Sequence, residues 1–121
     1  MGSAVPKQFL PLAGRPIALH SFDLFCQIDA IDEIIIVCDP KYRHLFSSSK
    51  PILFANPGPR RQDSICNGFL AASKSADILC THDAARPFIT KDEILALLEK
   101  TEEVGAATLA APAVSTIKSV S

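Results

Sequence analysis

No apolar run in this sequence is long enough to cross a membrane; the longest, Ile34-Ile35-Ile36-Val37-Cys38, has the length of a strand. The opening MGSAVPKQ lacks the hydrophobic stretch of a secretory signal and is not read as one. An excess of charge is missing too. The formal net charge of −1 excludes nucleic-acid binding driven by overall charge, and leaves any anion site to local clusters and helix N-termini. The four cysteines, Cys26, Cys38, Cys66 and Cys80, form no CxxC pair, and each lies in or just after an apolar stretch. They are expected to be buried free thiols in a reducing compartment rather than zinc ligands or disulfides. There is no repeat, no low-complexity tract and no internal linker. No nucleophile–base–orienter set is visible, so covalent catalysis has no support.

What is there is a globular composition. Hydrophobic residues make up 48% and charged residues 21% of 121 residues, enough to bury a core in one domain spanning 1–121. Strand-like and helix-like segments alternate. Phe9 to Leu12 reads as a short extended piece, and Gly14-Arg15-Pro16 as the opening of a helix with Pro16 in its first turn, where the missing N–H costs nothing. On that helix Ile17, Ser21, Leu24 and Ile28 share a face, flanked by Ala18, Phe22 and Phe25. Glu33 to Cys38 is β-branched and unalternating, as in a fully buried strand of a parallel sheet. Ile52 to Ala55 is a second strand candidate, followed by the stiff loop Asn56-Pro57-Gly58-Pro59. Arg61 to Ala72 carries a helical stripe of Ile65, Gly68, Phe69 and Ala72. Ile78 to Thr81 reads as a third strand. Thr90-Lys91-Asp92-Glu93 is a capping box opening a further helix, with Gly105 as its C-cap. Ala106 to Ala110 reads as a last strand. The alternation predicts an α/β fold, a three-layer αβα sandwich on a mostly parallel sheet. Ligands of such folds bind outside the carboxyl ends of the strands, which directs attention to Asn56–Asp63 and His82–Pro87.

Three segments could carry chemistry. Lys7, in Pro6-Lys7-Gln8, reads alone as a solvated lysine, with a phosphate clamp as the functional alternative. Gly58-Pro59-Arg60-Arg61-Gln62-Asp63-Ser64 runs a glycine loop into a helix start with two arginines and a hydroxyl. That is a ready anion site, or else a helix start in which Asp63 complements the dipole and the arginines point to water. His82-Asp83-Ala84-Ala85-Arg86-Pro87 offers Asp83 to a divalent metal bridging phosphates and Arg86 to a phosphate; the plain alternative is an Asp–Arg pair in a turn. His82 is assigned no role, His20 is placed on a helix face and His44 in a solvated turn.

Together these segments resemble the 2-C-methyl-D-erythritol 4-phosphate cytidylyltransferases of the non-mevalonate isoprenoid pathway. The matching residues are Pro6-Lys7-Gln8-Phe9-Leu10-Pro11-Leu12, Gly58 with Arg61-Gln62-Asp63-Ser64, His82-Asp83-Ala84-Ala85-Arg86-Pro87, and Thr116-Ile117-Lys118. The resemblance implies a Rossmann-like nucleotidyltransferase fold and transfer of CMP from CTP to methylerythritol phosphate, with release of pyrophosphate. It implies Lys7 as the catalytic lysine on the triphosphate. Gly58, Arg61, Ser64, Asp83 and Ala84 are implied as nucleotide-binding, Asp83 also as the magnesium ligand, and Arg86 and Thr116 as contacts of the acceptor substrate. It further implies a homodimer, with cytoplasm as the expected compartment and a plastid left open, since a transit peptide would precede Met1. The family begins with a strand and a glycine-rich loop that would be finishing where Met1-Gly2 stands, and it continues well past Ser121. Pro59 stands where the family often has an acidic or polar residue. A domain lacking that first strand is expected to be only marginally stable. Two other readings are a ribitol-5-phosphate cytidylyltransferase, disfavoured by Arg61-Gln62-Asp63-Ser64, and a non-catalytic nucleotide-binding fragment.

Overall fold

The computed structural model describes residues 5–110. Thr116 and the hydroxyl-and-lysine segment 115–118 lie outside the described residues. The chain opens with a 3₁₀ turn at Lys7–Phe9, then a two-residue hairpin of β1 (Pro11–Leu12) and β2 (Arg15–Pro16), paired antiparallel. Arg15-Pro16 is therefore a strand rather than a helical turn. The reason lies in the two residues between: Ala13 and Gly14 both hold positive φ, at 54° and 81°, the twist that a tight hairpin turn demands. Helix α1 (Ile17–Cys26) follows with Pro16 as its N-cap.

Strands β3 (Ile34–Val37) and β4 (Ile52–Ala55) pair in parallel, with Ile34 opposite Ile52 and Val37 opposite Ala55. The connection between them includes a 3₁₀ segment, Pro40–Leu45, capped by Asp39, whose carboxylate accepts from the Lys41 N–H at 3.0 Å. Successive β3 side chains face opposite sides of the sheet. Ile34 and Ile36 pack with Phe9, Ala18, Leu19, Phe22 and Phe46 on the α1 side. Ile35 and Val37 face helix α2 (Arg61–Ala71), where a Cβ on Gly68 would lie 3.0 Å from Val37 Cγ2. Helix, sheet and helix thus form three layers on a partial sheet, the expected α/β architecture. β3 is half-buried along its whole length rather than fully buried, because it has one strand neighbour among the described residues.

The α1 face also shifts from the expected register: Ala18, Leu19, Ser21 and Phe22 are buried, and Ile28 is buried just past the helix end. Residues 78–81 and 106–110 form no strands. A strand exists by pairing, and neither segment has a ladder partner among the described residues, so the β-branched composition of Ile78–Thr81 is insufficient by itself. Helix α3 (Lys91–Val104) matches its expected limits, with the Thr90–Glu93 box at one end and Gly105 at φ 94° at the other. All four cysteines are free, but only Cys38 is buried and Cys26 half-buried. Cys66 projects from the outer side of α2 and Cys80 lies in the unpaired segment, which exposes both. Burial pushes the Cys38 thiol above its ordinary value, with the Arg43 guanidinium opposing, so it stays a protonated core group at neutral pH.

Candidate functional site

The loop after β4 and the start of α2 are locked to each other by close contact. The Gly58 N–H donates to Ser64 Oγ at 2.9 Å. An added Cβ at Gly58 would meet Asp63 Cβ at 2.3 Å, so only glycine lets the loop lie this close to the helix. The two expected arginines divide their work. Arg60 is spent on Asp63: its Nε and Nη2 donate to the two carboxylate oxygens at 2.9 and 3.0 Å, and its backbone N–H adds a third bond at 3.1 Å. That guanidinium holds the Asp63 carboxyl below its ordinary range. Arg61 turns the other way, with Nη2 3.7 Å from Asp83 Oδ2.

The second segment is a turn built around its own carboxylate. Asp83 Oδ1 accepts from the Ala85 N–H at 3.0 Å, and the Asp83 carbonyl accepts from the Arg86 N–H at 3.0 Å. Oδ2 is left facing outward, with Arg86 Nε at 3.6 Å. His82 braces the turn through a 2.9 Å hydrogen bond between Nε2 and the Arg86 carbonyl, and its ring lies 5.4 Å from that of Phe25 on α1. It is structural, as expected. His20 also has a structural bond, from Nε2 to the Leu12 carbonyl at 2.7 Å, and His44 is exposed in the 3₁₀ segment. Ala84 packs against the core cluster that contains Phe9. Lys7 is two residues from Phe9, with an exposed side chain and no ion pair among the described residues.

Of the expected site residues, the structure therefore gathers Arg61, Asp83 and Arg86 into one cluster and fixes Gly58 to Ser64 beside it. Arg61, Asp83, Ala85 and Arg86 line an open groove of about 770 Å³ that continues along α3. At 3.6 and 3.7 Å, with the arginines 79% and 76% exposed, the ion pairs are weak and exchangeable. Incoming phosphates can take both guanidinium groups without breaking a strong bond, leaving the Asp83 carboxylate beside them. One carboxylate oxygen is what a magnesium ion needs from the protein when phosphates and water supply its other ligands. No group of three or more His, Cys, Asp or Glu side chains placed to share a metal ion occurs among the described residues. Sequence reasoning passed over Arg43 and Asn67, which tie the loop after β4 to its surroundings through Asn56: Arg43 Nη2 donates to Asn56 Oδ1 at 2.8 Å, and Asn67 Nδ2 to the Asn56 carbonyl at 2.9 Å.

Comparison with known proteins sharpens this picture. The family model for 2-C-methyl-D-erythritol 4-phosphate cytidylyltransferase matches residues 1–121. The protein of that name from Chlamydia pneumoniae is 49% identical over 117 residues, covering 97% of this chain and 54% of its own. The chloroplastic one from Oryza sativa subsp. japonica is 44% identical over 123 residues, covering 98% of this chain and 41% of its own. The chain spans about half the length of these curated relatives. A solved structure, 4-diphosphocytidyl-2C-methyl-D-erythritolsynthase from Anaerococcus prevotii, superposes with a TM-score of 0.73 at 21% identity. It covers 84% of this chain and 47% of its own, a likeness of fold that agrees with the layered arrangement described above. With the family model matching from end to end and two relatives above 40% identity, the chain belongs to the 2-C-methyl-D-erythritol 4-phosphate cytidylyltransferase family.

Proposed function

We propose that this chain carries the nucleotide-handling part of a cytidylyltransferase that transfers CMP from CTP to 2-C-methyl-D-erythritol 4-phosphate and releases pyrophosphate. The observation that carries the reading is the convergence of Arg61 and Arg86 on the outward oxygen of Asp83. In this reaction the acceptor phosphate attacks the α-phosphorus in line and pyrophosphate leaves, so the protein's task is to position charge rather than to move protons. Lys7 would meet the triphosphate and stabilise charge as it builds on the α-phosphate. Gly58 and Ser64 would hold the cytidine, with Ala84 beside it. Arg61 would leave Asp83 for a phosphate, and Arg86, with Thr116, would face the acceptor. Asp83 would hold magnesium, which supplies neutralisation of the nucleotide's charge when bound. The relatives' names favour a methylerythritol acceptor over ribitol phosphate. We further propose a homodimer and a cytoplasmic location, with the chloroplastic rice relative supporting a plastid as the alternative.

The test is pyrophosphate release from CTP and methylerythritol 4-phosphate with magnesium, compared between the chain and its Lys7→Ala variant, together with CTP binding by calorimetry. Lys7→Ala should lower kcat by about a hundredfold, the scale of removing one preorganised charge from a transition state. A chain that neither binds CTP nor releases pyrophosphate would refute the proposal.

A further inference from the structure

Arg43 lies in the 3₁₀ segment after β3, outside the motif segments at 6–12, 58–64 and 82–87. Its guanidinium sits 5.3 Å from the ring centroid of Phe54 on β4, and its Nη2 donates at 2.8 Å to Oδ1 of Asn56, the first residue beyond that strand. Asn56 is held from the other side as well, because its carbonyl accepts from Asn67 Nδ2 on α2 at 2.9 Å. Two residues further on, Gly58 donates to Ser64 Oγ at 2.9 Å. The loop is thus pinned at Asn56 by side chains from two different elements and at Gly58 by a third bond. Arg43 Nε is buried without a hydrogen-bond partner. An apolar side chain would cover Phe54 without leaving a buried donor unpaired, so packing alone does not account for a guanidinium here. What a guanidinium adds is the bond to Asn56, together with a positive charge beside the Cys38 thiol.

We propose that Arg43, acting through Asn56, is a positioning residue that fixes the loop 56–58 against which the nucleoside of CTP lies. This rests on the nucleotide reading of Gly58 and Ser64 given above. Arg43 has no direct part in that contact; it restricts the loop before the ligand arrives, so the ordering cost is already met. In that reading the triphosphate is met by Lys7 and by Arg61 on α2, outside loop 56–58. The loss from removing Arg43 should therefore fall on the nucleoside alone.

The experiment is calorimetric titration of the chain and its variants with magnesium CTP and, separately, with magnesium pyrophosphate. Arg43→Ala and Asn56→Ala should each weaken CTP by about tenfold, the effect of losing one hydrogen bond from a charged donor. The double variant should be no weaker than either single one. Arg43→Lys, which keeps a cationic donor but loses the planar group over Phe54, should bind CTP more tightly than Arg43→Ala and less tightly than the parent. Pyrophosphate affinity should stay unchanged throughout. Because Asn56 is exposed, Asn56→Ala tests the idea even if Arg43→Ala folds poorly. Unchanged CTP affinity in Asn56→Ala, or equal weakening of CTP and pyrophosphate, would overturn the positioning role while leaving the nucleotide reading intact. Absence of CTP binding by the parent chain would overturn both.

Discussion

Gly58 is the residue on which the candidate nucleotide loop turns, and its requirement is steric rather than chemical. A methyl group there would sit 2.3 Å from Asp63 Cβ, and the neighbouring contacts are backbone atoms of Asp63 at 3.0 and 3.2 Å. No flexible side-chain end is available to move aside, so the loop and the first turn of α2 must separate. We expect Gly58→Ala to destabilise the fold by about 1–3 kcal/mol, the usual range for overpacking, and to weaken the Gly58–Ser64 bond along with CTP affinity. Thermal melts and CTP titration of the same variant check both; a variant that keeps its melting temperature and its affinity would show that the loop tolerates the shift. Ser64→Ala is the companion case. It removes the acceptor of the Gly58 N–H without adding volume, and should cost less stability than Gly58→Ala.

Helix α3 owes its start to Thr90. The Glu93 N–H donates to Thr90 Oγ1 at 3.2 Å, and Glu93 Oε1 accepts from the Thr90 N–H and hydroxyl, each at 3.0 Å. Ile94 is fully buried, while Leu95 is 37% and Val104 56% exposed, so the helix has a narrow anchoring face and depends more than α1 on its own caps. Thr90→Ala should cost about 1 kcal/mol, read as faster amide exchange across the first turn of α3, and Thr90→Ser should restore protection; equal exchange in all three proteins would remove the cap from the account. This box was legible in the sequence because both partners lie within four residues of each other. β4 was legible for a similar reason, as an apolar run closed by Asn56-Pro57. The strand expected at 78–81 was not, because a strand is completed by a neighbour that composition does not reveal. The same limit applies to the site. Arg60 and Arg61 are adjacent and look alike in sequence; which of them reaches Asp63 and which reaches Asp83 is decided by the approach of the 82–87 turn in three dimensions. Arg43 was missed because its partner lies thirteen residues away across a strand.

Taken as a body, the chain leaves large apolar side chains in water: Leu70 is 80% and Phe88 83% exposed. That area contributes nothing to folding, so polar ties between elements carry more weight than they would in a deeper core. Two carboxylates make polar ties at opposite ends of α2, one within the helix start and one across to the segment before β3. Asp63 bonds the Arg60 backbone and guanidinium where the helix begins. Glu33, just before β3, accepts from the Ser73 N–H at 2.8 Å and from its hydroxyl at 2.6 Å where the helix has ended. Ser73 holds the Glu33 carboxyl below its ordinary value, as Arg60 does for Asp63. A folded-state pKa below the unfolded one means that the unfolded chain takes up the proton first. The stabilisation is therefore complete above the ordinary carboxylate range and is lost as pH falls through the depressed folded values. Melting temperature should be level from neutral pH down to about pH 5 and should fall below about pH 4, where free carboxyls titrate. Glu33→Gln keeps one acceptor oxygen but removes the charge. It should melt slightly lower than the parent at neutral pH and should lose less on acidification, the two curves converging at low pH. Parallel curves, with a constant offset from pH 7 to pH 3, would mean that Glu33 holds α2 by shape and hydrogen bonding alone, and that the acid sensitivity of the chain arises elsewhere.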